Sequence, residues 1–313
     1  MALRILFCGT PEFALPSLDS LIAAPDISIE AVITQPDRPR GRGQEMTAPP
    51  VKDFAIGAGL HVFQPEKIRS VSARDFITNV APDAIVIIAY GQIIPALLLD
   101  IPRLGWINVH ASLLPRYRGA APIQWAIVNG ETRTGVTTMR IDPGLDTGPT
   151  LEKTEIDIGT DETAPQLSKR LAEAGGDLIV STLRKLDRGE IQPQPQDEAL
   201  ATHARPLKKG DGRVDWNLSA QAIYNRIRGL EPWPGAYTQF RGQLCQLWGR
   251  PAEREQTRQA PGTLLSSGTH ALVECGEGTF LQIEAVQIEG RKRIAARDFV
   301  NGARLKPGEK FGD

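Results

Sequence analysis

Short apolar runs, separated by stretches long enough for a helix, constrain this chain more than any other feature. "RILFCGT" (4–10), "ISIEAVITQP" (27–36), "HVFQP" (61–65) and "DAIVIIAY" (83–90) read as strands. "VKDFAIGAGL" and "VSARDFITNV" between them read as helices. Strands joined by helices form βαβ units on a mostly parallel sheet. "DAIVIIAY" is apolar throughout, as a strand covered on both faces must be. Gly9 ends the first run, and Pro11 suits the first turn of the helix expected after it. "TGVTTMRID" and "TLEKTEIDI" alternate more and read as a later strand pair, closed by an amphipathic helix over 161–186.

The texture changes near residue 189. "GEIQPQPQDEALATHARPLKKG" (189–210) is polar, proline-bearing and without apolar period, so it reads as an extended linker. After one helix, "SAQAIYNRIRGL" (219–230), short strands and frequent turns predict a small β-barrel or sandwich. At 313 residues two domains are expected: 1–188, a linker over 189–208, and 209–313.

Several function classes fall away early. No apolar run approaches the ~20 residues that span a bilayer. The opening "MALRILFCGT" lacks a signal-peptide layout, so a cytoplasmic protein without a membrane partner is expected. Three cysteines, Cys8, Cys245 and Cys275, are too few and too far apart for a disulfide frame or a metal cage. Four scattered histidines offer no ligand spacing, so no metal is expected. A single Gly after the first strand is not GxGxxG, and no GxxxxGK[ST] occurs. The charge is uneven: residues 200–313 carry 17 Lys and Arg against 12 Asp and Glu. That excess suits an anionic partner.

Candidate chemistry gathers in "INVHASLLPRYRGAAPIQWAI" (107–127). Alternation puts Asn108 and His110 on one strand face near its carboxyl end, where open α/β sheets bind ligands. "RIDPGLDTGP" (140–149) adds Asp142 and Asp146 on a loop stiffened by Gly and Pro. Composition does not choose between the two aspartates. "QPDRPRGRGQEMTAPP" (35–50) presents Arg38, Arg40 and Arg42, and its Pro and Gly residues are expected to exclude regular strand or helix. A basic loop of this kind can order against phosphates and base edges.

"NVHASLLPRYRGAAPIQWAI", "GLDTG", "GTPEFA" and "TQPDRPRGRG" together resemble the 10-formyltetrahydrofolate-dependent formyltransferases. The likeness runs over essentially the whole chain. The arginine loop and "EPWPGAY" (231–237) point, within that family, to the branch acting on initiator methionyl-tRNA. Ala111 stands where other members often have Gly. The resemblance implies a Rossmann-like catalytic domain followed by an OB-like, tRNA-binding β-barrel. It implies a catalytic set of Asn108, His110 and Asp146, and a folate site including Ser112, Leu113, Leu114 and Pro115. It makes the arginine loop the element entering the tRNA acceptor stem. It leaves Lys208, Lys209, Arg291, Lys292 and Arg293 as further tRNA contacts, although "EGRKR" reads equally as a solvated hairpin tip.

The implied reaction moves a formyl group from folate to the α-amine of methionine on tRNA, with 10-formyltetrahydrofolate as cosubstrate. The amine is the nucleophile, so no Ser or Cys triad is needed. Attack creates a negative oxygen that needs donors. Asn108 and His110 can supply them while Asp146 orients His110 and relays protons. A monomer is the expected state. Formyl transfer to another amine is the nearest alternative. A silent RNA-binding scaffold is opposed by the Asn–His–Asp set, and a nicotinamide oxidoreductase by the missing glycine fingerprint.

Overall fold

In the computed structural model, residues 2–41, 43–253, 259–267 and 270–312 are described. The chain divides into two compact units. The first holds Met1–Pro122, Arg133–Asp157 and Leu167–Arg205; the second holds Ile123–Thr132, Ile158–Gln166 and Pro206–Asp313.

The elements of the first stretch are β1 (Leu3–Gly9), α1 (Leu15–Ala23), β2 (Ile27–Ile33), β3 (Arg38–Arg40), β4 (Glu45–Thr47), α2 (Pro50–Gly57), β5 (Val62–Phe63) and α3 (Val71–Val80). There follow β6 (Ala84–Ile88), α4 (Ala96–Leu99), β7 (Trp106–His110), α5 (Pro122–Val128), β8 (Arg133–Arg140), β9 (Thr150–Asp157) and α6 (Ala164–Asp187). The sheet order is β5-β2-β1-β6-β7-β8-β9. The pairs from β5 to β7 are parallel, and β7–β8 and β8–β9 are antiparallel. All of β6 is buried, as its apolar run requires, while the edge strand β9 alternates. Strand order runs outward both ways from β1 and β6, so the sheet has a switch point between them.

Two local expectations need correction. Pro11 caps a short 3₁₀ turn, Glu12–Ala14, and Pro16 occupies the first turn of α1 instead. Segment 35–50 does contain strand: β3 and β4 pair Arg38 with Thr47, Pro39 with Met46 and Arg40 with Glu45. A two-stranded ribbon tolerates Pro39 because an edge residue need not donate to a ladder. Gly41, at φ +74°, makes the turn.

The polar segment 189–205 groups with the first unit. Gln194 and Thr150 exchange backbone N–H···O bonds of 2.8 Å in both directions.

The second unit contains α7 (Ala220–Gly229), β10 (Tyr237–Phe240), β11 (Gln243–Ala252), β12 (Leu264–Ser267), β13 (His270–Glu274), β14 (Phe280–Ile288), β15 (Ile294–Ala295) and α8 (Ala296–Ala303). Its curled antiparallel sheet runs β10-β11-β14-β13-β12, with β15 on β14, in keeping with an OB-like half-barrel. Trp216, Phe240, Leu247, Val273, Ile283 and Phe299 fill its core.

Candidate active site

β7 lies between β6 and β8, with Asn108 opposite Ile87 and Met139, and His110 opposite Thr137. Ile107 and Val109 point into the core, so Asn108 and His110 share the other face. Asn108 is half-buried, and its amide has no hydrogen-bond partner among the described residues. His110 is only 6% exposed. Its Nε2 lies 2.9 Å from the Tyr117 carbonyl oxygen. A carbonyl only accepts, so in this ring orientation Nε2 carries the proton. Nδ1 then faces Asp146 Oδ2 at 3.7 Å.

The two aspartates that composition could not separate have different surroundings. Asp142 closes its own turn, accepting from Thr147 Oγ1 at 2.7 and 2.9 Å and from the Gly144 N–H at 3.0 Å. Asp146 turns toward His110 and accepts from the Gly119 N–H at 2.8 Å. Its backbone is left-handed, φ +54°, an unusual state for a residue with a Cβ. Gly148 permits the loop to close, since a Cβ there would sit 1.9 Å from the Arg140 carbonyl oxygen.

The bend after β7 is fixed from beneath. Thr137 Oγ1 donates to the Ser112 carbonyl at 2.7 Å and accepts from the Leu114 N–H at 3.1 Å. Ser112 Oγ donates to the Arg116 carbonyl at 2.6 Å, and Lys153 Nζ donates to the Leu114 carbonyl. Leu114–Pro115 is cis. Of the four residues expected at a folate site, Ser112 and Leu114 are buried and hold the bend. Leu113 and Pro115 are partly exposed.

Sequence reading overlooked the switch point itself. A cleft of roughly 830 Å³ lies there, lined among others by Thr10, Gln35, Tyr90, Gln92 and Ile93. Thr10 Oγ1 and Gln35 Nε2 both donate to the Tyr90 carbonyl at 3.0 Å. Gln92 Nε2 donates to Gln35 Oε1 at 3.2 Å. The chain turns sharply here, with Ala89 at φ +46° and Gly91 at φ +86°. Ile93 is 90% exposed beside the cleft. The signal was available: "DAIVIIAY" runs straight into Gly91, and a central strand's carboxyl end is where such sheets bind.

The cysteines stand apart from this chemistry. All three are buried, and burial pushes the thiols up, to about 11 for Cys245 and about 12 for Cys275, with Cys8 also raised. A buried neutral thiol is a poor nucleophile. Among the described residues no cluster of His, Cys, Asp or Glu could hold a metal ion, and no helix is long and apolar enough to cross a membrane.

The expected tRNA contacts are spread along the chain rather than gathered. Arg38 pairs with Glu66 at 2.8 Å on the surface, and Arg40 lies in β3. Arg42 lies outside the described residues. Lys208 and Lys209 are exposed. Arg291, Lys292 and Arg293 are exposed at the tip joining β14 to β15, which is a hairpin closed by the Arg291 N–H on the Ile288 carbonyl at 2.9 Å. Arg293 stacks its guanidinium over Trp248, 3.8 Å from the ring centroid.

With this geometry in hand, known proteins place the chain. The formyl transferase family matches residues 3–183, and the formyl transferase C-terminal domain matches 206–304. A methionyl-tRNA formyltransferase from Solibacter usitatus is 54% identical over 312 residues, covering 99% of both chains. Another from Acidobacterium capsulatum is 49% identical over 312 residues, covering 99% of this chain and 100% of its own. Among solved structures, the sugar 3N-formyl transferase WlaRD, crystallised with dTDP and 5-N-formyl-THF, superposes with a TM-score of 0.66. It is 16% identical, and the match covers 93% of this chain and 100% of that one, so it speaks for the fold. On sequence over nearly its full length, and on fold, this chain is a member of the formyl transferase family.

Proposed function

We propose that this chain transfers the formyl group of 10-formyltetrahydrofolate to the α-amine of methionine on initiator methionyl-tRNA. It does so in the cytoplasm, as a single chain. Residues 1–188 do the chemistry, 189–208 link, and 209–313 hold the tRNA. The observation that carries this reading is the Asn108 amide, without a hydrogen-bond partner among the described residues, on the same strand face as the His110–Asp146 pair. An unpartnered donor beside an acid–base pair is what transfer of an acyl group to an amine requires.

The formyl donor supplies an activated carbonyl carbon when bound. The residues of the switch-point cleft fit such a group. The cleft is lined by Thr10, Gln35 and the 89–92 turn, and it offers peptide groups and amide side chains to a flat heterocycle. Leu113 and Pro115 add apolar surface from the neighbouring bend.

Each remaining role belongs to a named side chain. Asn108 Nδ2 donates to the formyl oxygen as negative charge builds there. His110 is held by its Nε2–H on the Tyr117 carbonyl, so the working nitrogen is Nδ1. Nδ1, with Asp146 Oδ2 at 3.7 Å, takes the proton that the amine nitrogen sheds as it bonds to the formyl carbon, and returns one to the departing folate nitrogen. Arg38, Arg40 and Arg42 reach the acceptor stem. Lys208, Lys209, Arg291, Lys292 and Arg293 contact phosphates.

The test is direct. The protein is incubated with 10-formyltetrahydrofolate and either charged initiator tRNA, charged elongator tRNA or an amino-sugar nucleotide. Formyl-methionine released from initiator tRNA alone is the expected product. Formylation of the sugar and not of methionine would replace the proposed substrate.

A further inference from the structure

Segment 194–204 crosses the first unit as a strap, and one side chain on it bridges both halves of the candidate site. Gln196 Nε2 donates twice, to the Asp146 carbonyl at 2.8 Å and the Gly148 carbonyl at 2.7 Å. Its Oε1 accepts twice from Arg118, from Nε at 3.0 Å and Nη2 at 2.9 Å. Arg118 is only 2% exposed, and the rest of its fork binds Glu198 at 2.9 and 2.7 Å. The amide orientation is therefore dictated. Arginine only donates and carbonyls only accept, so no flipped arrangement satisfies both sides.

The residues flanking Arg118 are the ones that touch the pair. The Tyr117 carbonyl receives His110 Nε2, and the Gly119 N–H binds Asp146 Oδ2. The strap also grips this segment by its backbone. The Arg118 N–H donates to the Thr202 carbonyl at 2.8 Å, the Ala204 N–H to the Arg118 carbonyl at 2.6 Å, and the Tyr117 N–H to Thr202 Oγ1 at 2.8 Å. Gln196 thus joins the segment that orients His110 to the loop that carries Asp146. Asp146 also has a left-handed backbone, a conformation with some energetic cost that these bonds help to hold.

We infer that Gln196 is a positioning residue: through Arg118 on one side and the Asp146 and Gly148 carbonyls on the other, it fixes Asp146 against His110 for transfer. This rests on the reading of Asp146 as the working partner of His110. Polar segment 189–205 is then part of the catalytic framework as well as a connection.

The experiment measures kcat, KM for the formyl donor and thermal unfolding for Gln196→Glu and Gln196→Met, each alone and with Asp146→Ala. Gln196→Glu keeps the acceptor for Arg118 but sets a carboxylate against two carbonyls, so it releases the Asp146 loop while retaining the Arg118 tie. Gln196→Met removes both functions at similar size. In each single variant kcat should fall by about 10–100-fold with KM for the formyl donor unchanged, the scale of a small misplacement of reacting groups. Added to Asp146→Ala, neither change should lower the residual rate further, because both act through one group. Should Gln196→Met fail to fold, Gln196→Glu carries the test. Wild-type kcat in Gln196→Glu, or a loss that multiplies onto that of Asp146→Ala, would overturn the inference. Full activity in Asp146→Ala alone would instead overturn the reading of Asp146, and this inference with it.

Discussion

Around His110 the polar groups are tied down by their neighbours, while Lys208, Lys209, Arg291 and Lys292, expected to meet tRNA, stand in solvent. His110, Asp146, Gly119, Arg118 and Gln196 form one connected set of hydrogen bonds and close contacts, with His110 and Arg118 buried and the other three partly so. Lys208, Lys209, Arg291 and Lys292 are exposed, and Arg38 has one surface partner. In the proposed function the two regions have different tasks. Transfer needs donors fixed before the reaction, because reorganising them during it raises the barrier. Phosphate contacts work through charge and counterion release, which tolerates mobile side chains and needs no fixed geometry. Loss of one member should therefore be severe in the first region and graded in the second.

The largest separation is expected at Asn108. Asn108→Ala should lower kcat by ~10²–10³-fold, the scale of one lost oxyanion donor. Its unfolding should hardly change, since the amide has no hydrogen-bond partner among the described residues. A rate near wild type would dissolve the contrast between the regions. Gly148→Ala comes next. Its new Cβ meets backbone at 1.9 Å, so the loop must move, at about 1–3 kcal/mol of stability, the usual range for overpacking. Calorimetry and kcat should both register it, and an unperturbed Tm would mean the loop is softer than described.

The graded region is probed by salt. Each phosphate contact adds about −0.7 to −0.9 to the slope of log K against log salt, taking the single-strand and duplex DNA values as brackets. Replacing Arg291 and Lys292 together by Ala should make the slope for charged tRNA shallower by about 1.4–1.8 if both touch phosphate. Folate binding should be unaffected. An identical slope would leave this hairpin tip merely solvated. The smallest effect is expected at Glu198, where the bond from Arg118 holds the carboxyl below its ordinary range. A lowered value in the folded state means the pair stabilises fully above the ordinary glutamate range and stops doing so as pH falls through the folded value. Unfolding curves of wild type and Glu198→Gln should differ slightly at neutral pH and converge once the pH has fallen below the ordinary glutamate range and through the lowered folded value. A gap that widens on acidification would contradict that sign.

Legibility in the sequence followed the range of the interactions. "DAIVIIAY" and its neighbours disclosed a parallel sheet because burial on both faces leaves a continuous apolar run. Asn108 and His110 were visible because strand alternation is local. Asp142 and Asp146 could not be told apart on composition, since what separates them is a hydrogen bond from Gly119, 27 residues away. Gln196 was hidden for the same reason: its partners lie 48 to 78 positions off in a stretch that looks like plain linker. β3 and β4 were missed because three-residue strands carrying Pro39 have no periodic signature. α8, "ARDFVNGA", was missed because its Asn and Gly weaken the helical pattern that packing restores. Gly91 after "DAIVIIAY" signals the 89–92 turn, but its place at the switch point between β1 and β6 needs the strand order.

Single-turnover formylation of initiator methionyl-tRNA by His110→Ala, with affinity for the formyl donor measured separately, decides whether the His110–Asp146 pair performs the transfer. The rate should fall by ~10²–10⁴-fold, the range for an acid–base group, with donor affinity retained. A single-turnover rate near that of the wild type would contradict that role.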